Sequence, residues 1–135
     1  LSDITIQKSS FWRSSPVDCP SGSPDFINAA VVIEPLPEET PESLLVKLQT
    51  LEVQFGRQPK VTVNEPRPLD LDIIAYAEKT RKTPQLTLPH PRWHQRRFVL
   101  EPLNEIASDA ILPGQIQPVI QLLLKLKTTE VLIRL

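Results

Sequence analysis

Residues 67–76 read RPLDLDIIAY, an apolar run interrupted by the two carboxylates Asp70 and Asp72. On a strand, residues two apart point to the same side. Asp70 and Asp72 therefore project together, while Leu69, Leu71 and Ile73 point oppositely into a core. Burying an ionised carboxylate is costly unless something pairs with it, and two of them side by side raise each other's pKa. A hard divalent cation removes that penalty, because it takes carboxylate oxygens and usually substrate phosphates as well. Two surface aspartates on an edge strand, or a pair held by Arg67, is the plainer alternative, and the Asp-x-Asp pattern alone favours it.

Outward from this strand, the pattern predicts an α+β domain. Residues 3–13 and 26–34 read as strands, separated by a Ser/Pro/Gly-rich loop over 14–25. Thr40-Pro41 opens a helix whose apolar stripe is Leu44, Leu45, Leu48, Leu51 and Phe55, and Gly56 ends it. A polar loop at 57–66 leads into the aspartate strand, 69–76. A polar turn over 78–84 and a return strand at 85–88 follow. Helices are expected over 95–107 and 116–127, the second only if Pro118 lies in its first turn. A last strand is expected over 130–135. This order mixes hairpins and crossovers, so a sheet with helices on one face is the expected architecture.

The 135 residues suit one domain with a core of its own. No apolar run approaches the ~18 residues of a membrane-spanning helix. No secretory leader is visible, and the single Cys19 cannot form an internal disulfide, so a cytoplasmic protein without membrane contact is expected. The absence of methionine suggests that Leu1 is not the natural start. With 15 prolines and 3 glycines there is no glycine-rich phosphate loop. The net charge of −1 hides an asymmetry: residues 57–97 hold nine Lys or Arg against four Asp or Glu, and the remainder six against twelve. Arg57, Lys60 and Arg67 precede the aspartates, and Arg92, Arg96 and Arg97 follow them. Carboxylates holding Mg²⁺ beside guanidinium groups suit phosphoryl transfer, whose catalysis is largely positioning and charge neutralisation.

PRPLDLDII (66–74) followed by LTLPHPRWHQRRFVLEPLNEIA (86–107) closely resembles the 6-hydroxymethyl-7,8-dihydropterin pyrophosphokinases of folate biosynthesis. SSFWRSSPV (9–17), PDFINAAV (24–31) and LEVQFGR (51–57) extend the match in the same order. The resemblance implies a ferredoxin-like α+β fold and transfer of pyrophosphate from ATP to the pterin hydroxymethyl group, with release of AMP. It implies that Asp70 and Asp72 hold two Mg²⁺ bridging the triphosphate. Arg67, Arg96 and His90 would contact ATP phosphates, Lys60 would bind ATP, and Arg57 would sit at the base of a mobile catalytic loop. Gln49 and Glu52, on the exposed side of the first helix, would line the ATP site, with Leu45, Ile73 and Thr87 bordering adenine. For the pterin, it implies Asn28 on the amide-like ring edge, Phe26 and Phe98 as aromatic surfaces, and backbone of Ser14, Ser15 and Val17. His90 and His94 have a metal-like spacing, but Pro91 breaks the helix that would align them, so zinc is not expected.

Three departures accompany the resemblance. The family's opening strand, Gly-Ser-Asn-Leu-Gly turn and helix have no counterpart, so an interior strand is expected from a longer sequence or another chain. A tryptophan usual in the catalytic loop is Asn64, followed by Glu65 instead of glycine, and a loop arginine is Pro59. An active pyrophosphokinase is therefore weighed against a degenerate relative that binds pterin or nucleotide, or serves as an interaction module. Retention of Arg67, Asp70, Asp72, His90 and Arg96 favours the enzyme. Fusion to another folate-pathway enzyme fits the family. A nucleic-acid-binding sheet is disfavoured by the total of seven aromatic residues.

Overall fold

The computed structural model describes residues 4–14, 25–56, 69–128 and 130–135, with side chains from residue 7 onward. Among these residues the strands are β1 (Ile4–Lys8), β2 (Trp12–Ser14), β3 (Phe26–Asn28) and β4 (Val31–Glu34), then β5 (Arg81–Lys82), β6 (Thr87–Leu88) and β7 (Leu132–Arg134). The helices are α1 (Pro41–Gln54), α2 (Arg97–Ala107) and α3 (Val119–Lys125). The class is α+β with antiparallel pairing throughout, in three small sheets ordered β1-β4, β3-β2-β7 and β5-β6.

Each of the first two expected strands is broken into two. Ile4 pairs with Glu34, Lys8 with Val31 and Trp12 with Asn28, so the path is one antiparallel pair whose register slips twice. At the second slip the Ser9 N–H donates to the Ala30 carbonyl at 2.9 Å, and the Ser9 hydroxyl accepts from the Ala30 N–H at 2.9 Å. Extra residues of this kind bend a strand and interrupt its ladder.

Helix α1 begins as the sequence predicts. The Thr40 hydroxyl accepts from the Ser43 N–H at 3.0 Å, and the Ser43 hydroxyl accepts from the Thr40 N–H at 2.9 Å, with Pro41 in the first turn. This reciprocal box satisfies two amides that the helix itself cannot. Gly56, at φ +91°, turns the chain out in a conformation that suits glycine. Phe55 departs from the expected stripe. Its backbone is already non-helical, and its ring is 62% exposed.

The expected helix from residue 95 divides in two. Trp93–Gln95 form a 3-10 turn, Arg96 is extended (φ −117°, ψ 116°), and α2 starts at Arg97. Helix α3 starts at Val119, three residues later than expected, because a residue preceding proline avoids helical geometry and Pro118 stands as the cap. Trp93, Leu100 and Val119 form the buried core between the 3-10 turn, α2 and α3, with Ile74, Leu103 and Leu122 against it.

The main correction concerns residues 69–76. They join no sheet among the described residues, although Leu69, Leu71 and Ile73 are half-buried and Asp70 and Asp72 exposed, as alternation predicts. Their backbone groups turn elsewhere: the Leu71 N–H donates to a Glu52 carboxylate oxygen at 2.8 Å, and the Ile74 carbonyl accepts the His90 N–H at 2.8 Å. Part of the expected polar turn at 78–84 is instead β5, paired with β6. No helix among the described residues is long and apolar enough to cross a membrane.

Candidate active site

The bond from His90 to Ile74 lays the loop after β6 alongside the aspartate segment. Between them, α1 and the β5–β6 hairpin lies an open cleft of about 210 Å³. Its lining includes Leu45 from α1, Leu71, Asp72 and Ile73 from the aspartate segment, Thr87 from β6, and His90. Leu45, Ile73, Thr87, His90 and Asp72 are thus brought together from three separate stretches of sequence. Gln85 and Leu86 also line the cleft. Gln85 lies just outside the 86–107 segment and Leu86 begins it, and the hairpin geometry puts both there.

His90 is half-buried, and its Nδ1 accepts the Arg92 N–H at 3.3 Å. A neutral imidazole so engaged carries its proton on Nε2. Burial pushes the His90 pKa below its usual value, the Asp72 charge opposes that shift, and the Arg96 charge adds to it. His94 packs its ring edge-on against Trp93 at 5.8 Å between centroids. The two histidines have different neighbours.

The fit to a hard cation is read from the aspartates themselves. Asp70 and Asp72 are both exposed on the same side of the segment, and no three His, Cys, Asp or Glu side chains among the described residues form a cage. That donor set does not make an all-protein site. It does suit Mg²⁺, which commonly uses one or two carboxylates and completes its shell with phosphate oxygens and water.

Glu52 differs from its expected placement. It is 3% exposed rather than on the open side of α1, because its carboxylate turns inward to the Leu71 N–H. Gln49 is exposed on the same helix.

A second group of expected residues lies on the sheet β3-β2-β7. Asn28 Nδ2 donates to the Ser14 hydroxyl at 2.8 Å, and Phe26 pairs directly with Ser14 across the ladder. By register, Trp12, Ser14, Phe26 and Asn28 share one face. Helix α2 packs against β2, β3 and β4. Phe98, in the first turn of α2, is covered by the Arg96 guanidinium, 5.4 Å from the ring centroid. Two residues expected to serve different substrates are therefore in contact. Arg57, Lys60, Arg67, Ser15 and Val17, with Pro59, Asn64 and Glu65, lie outside the described residues.

Comparison with known proteins decides the family. The model of the 7,8-dihydro-6-hydroxymethylpterin-pyrophosphokinase family matches residues 1–108. The chain belongs to that family. Among pyrophosphokinase relatives, the 2-amino-4-hydroxy-6-hydroxymethyldihydropteridine pyrophosphokinase of Haemophilus influenzae is 42% identical over 109 residues, covering 81% of this chain and 66% of that protein. Its counterpart from Synechocystis is 36% identical over 131 residues, covering 97% of this chain and 65% of that protein. The chain thus spans just under two thirds of these relatives' length. The mitochondrial folate synthesis bifunctional protein of Arabidopsis thaliana is 36% identical over 103 residues, only 18% of its own length. Some family members are therefore parts of much longer chains. The family model ends shortly after α2, whereas the Synechocystis alignment takes in nearly the whole chain.

Proposed function

We propose that this chain transfers pyrophosphate from ATP to the hydroxymethyl group of 6-hydroxymethyl-7,8-dihydropterin, releasing AMP. The observation that carries this reading is the convergence of Asp72, His90, Leu45, Ile73 and Thr87 on one cleft, with Asp70 on the same exposed side as Asp72. Release of AMP requires that the pterin hydroxymethyl oxygen bond to the β-phosphorus. The bond from that phosphorus to the oxygen bridging to the α-phosphate breaks. AMP leaves with the electron pair, and the hydroxyl proton passes to water. The pyrophosphate ester of the pterin is the second product.

Leu45 and Ile73 offer apolar walls for the adenine, and Thr87 a hydroxyl beside it. His90 would donate its Nε2–H to a phosphate oxygen, since Nδ1 is already engaged. Arg96 at the start of α2 would swing from the Phe98 ring to a phosphate, where guanidinium geometry suits two parallel bonds. Asn28 would meet the amide-like pterin edge, whose donors and acceptor match its own. Asp70 and Asp72 would hold Mg²⁺, expected as two ions, which would supply charge neutralisation along the triphosphate. Association with a further folate-pathway domain is in keeping with the longer relatives.

The reading is tested by ³¹P NMR of the protein with ATP, Mg²⁺ and the pterin. Equal amounts of AMP and pterin diphosphate are expected. Formation of ADP, or of phosphate alone, would rule out pyrophosphate transfer. Pterin binding without any product would favour the degenerate relative.

A further inference from the structure

We infer that Glu52 is a positioning residue for the Asp70–Asp72 pair, acting through the backbone between them. The inference rests on the reading just given, in which that pair serves a metal–nucleotide complex.

Glu52 is 3% exposed and lies in the last turn of α1, which holds no basic residue. The carboxylate faces inward and accepts the Leu71 N–H at 2.8 Å. That N–H belongs to the peptide unit joining Asp70 to Leu71, with Asp72 the next residue. Holding it fixes the peptide plane that begins at the Asp70 Cα and ends at the Leu71 Cα, one residue before Asp72.

Such a hold is needed here more than on an ordinary strand. Residues 69–76 have no ladder among the described residues to set their register. Glu52 anchors the segment to a 14-residue helix, a rigid element.

The test uses the whole chain with Mg²⁺ and a non-hydrolysable ATP analogue, titrated calorimetrically with and without the metal. In Glu52→Ala, analogue affinity without Mg²⁺ should stay at the wild-type value. The gain on adding Mg²⁺ should fall about 10- to 100-fold, the usual effect of removing a group that orients metal ligands. Glu52→Gln, whose amide oxygen can still accept the N–H, should keep most of the gain. Hydrogen exchange of the Leu71 amide gives a readout without any ligand: slow in wild type and Glu52→Gln, fast in Glu52→Ala. A rapidly exchanging Leu71 amide in wild type overturns the inference even if Glu52→Ala does not fold. So does an equal Mg²⁺ gain in wild type and Glu52→Ala. Loss of the gain in Glu52→Gln as severe as in Glu52→Ala also overturns it, since the charge would then be acting on the ligand. A wild-type protein with no Mg²⁺ gain, but with a protected Leu71 amide, overturns the functional reading instead.

Discussion

Glu105 on α2 accepts the indole N–H of Trp12 on β2 at 3.1 Å. It also accepts the Ser10 hydroxyl at 2.6 Å and the Ser10 N–H at 2.9 Å. One carboxylate thus clasps the helix that carries Phe98 to the strand whose neighbour carries Asn28. The Ser10 hydroxyl, then its N–H, holds the Glu105 pKa below its usual 4.5. A pKa lowered in the folded state stabilises above the unfolded value, and that contribution is lost as pH falls through the folded value. Glu105→Gln should therefore melt below wild type at pH 7, with the gap narrowing at pH values below 4.5. Melting curves across that range check it, and a gap independent of pH would show that the ionised form is not what the clasp requires.

Leu100 is fully buried in the cluster with Trp93 and Val119. Leu100→Ala should cost about 2–5 kcal/mol, the range for emptying such a site. Urea unfolding measures it. A loss under about 1 kcal/mol would mean the site collapses and the core is looser than described.

The parts of the fold legible in the sequence are those governed by local chemistry. Thr40-Pro41 and Gly56 marked both ends of α1, and the alternation around Asp70 and Asp72 foretold which side chains would be exposed. What escaped was set by contacts distant in sequence. Glu52 looked like a solvated helix residue because its partner, an amide 19 residues later, has no side-chain signature. The break at Arg96 and the two register slips depend on backbone angles that residue type does not dictate. Glu105 lies within the segment 86–107, but no residue near it specifies a reach to Ser10, 95 residues earlier.

Asn28 donates to Ser14 on the face shared with Phe26. If that face receives the pterin edge, Asn28→Ala should weaken pterin binding on the order of tenfold, as for one net hydrogen bond. Affinity for the ATP analogue should hold. Fluorescence titration with pterin, with the analogue present, decides this, and unchanged pterin affinity would assign Asn28 to the sheet alone.

Arg96 is partly exposed, and its stacking on Phe98 is worth about 0.5–1 kcal/mol at such a site. Arg96→Ala should therefore shift Tm little, while loss of a charge aimed at phosphate lowers kcat on the order of 10²-fold. Paired melting and steady-state measurements separate the two effects. A large Tm drop with normal turnover would make Arg96 a structural residue.

Asp72 is the carboxylate that lines the cleft and whose charge raises the His90 pKa against the effect of burial. Its side chain is exposed, so Asp72→Asn should leave folding close to wild type. The decisive measurement is the initial rate of AMP formation from ATP, Mg²⁺ and 6-hydroxymethyl-7,8-dihydropterin, wild type against Asp72→Asn. The expected result is AMP from the wild type and a fall of about 10²–10³-fold in the variant, as for loss of an electrostatic stabiliser of the transition state. AMP formed at the same rate by both proteins would contradict it.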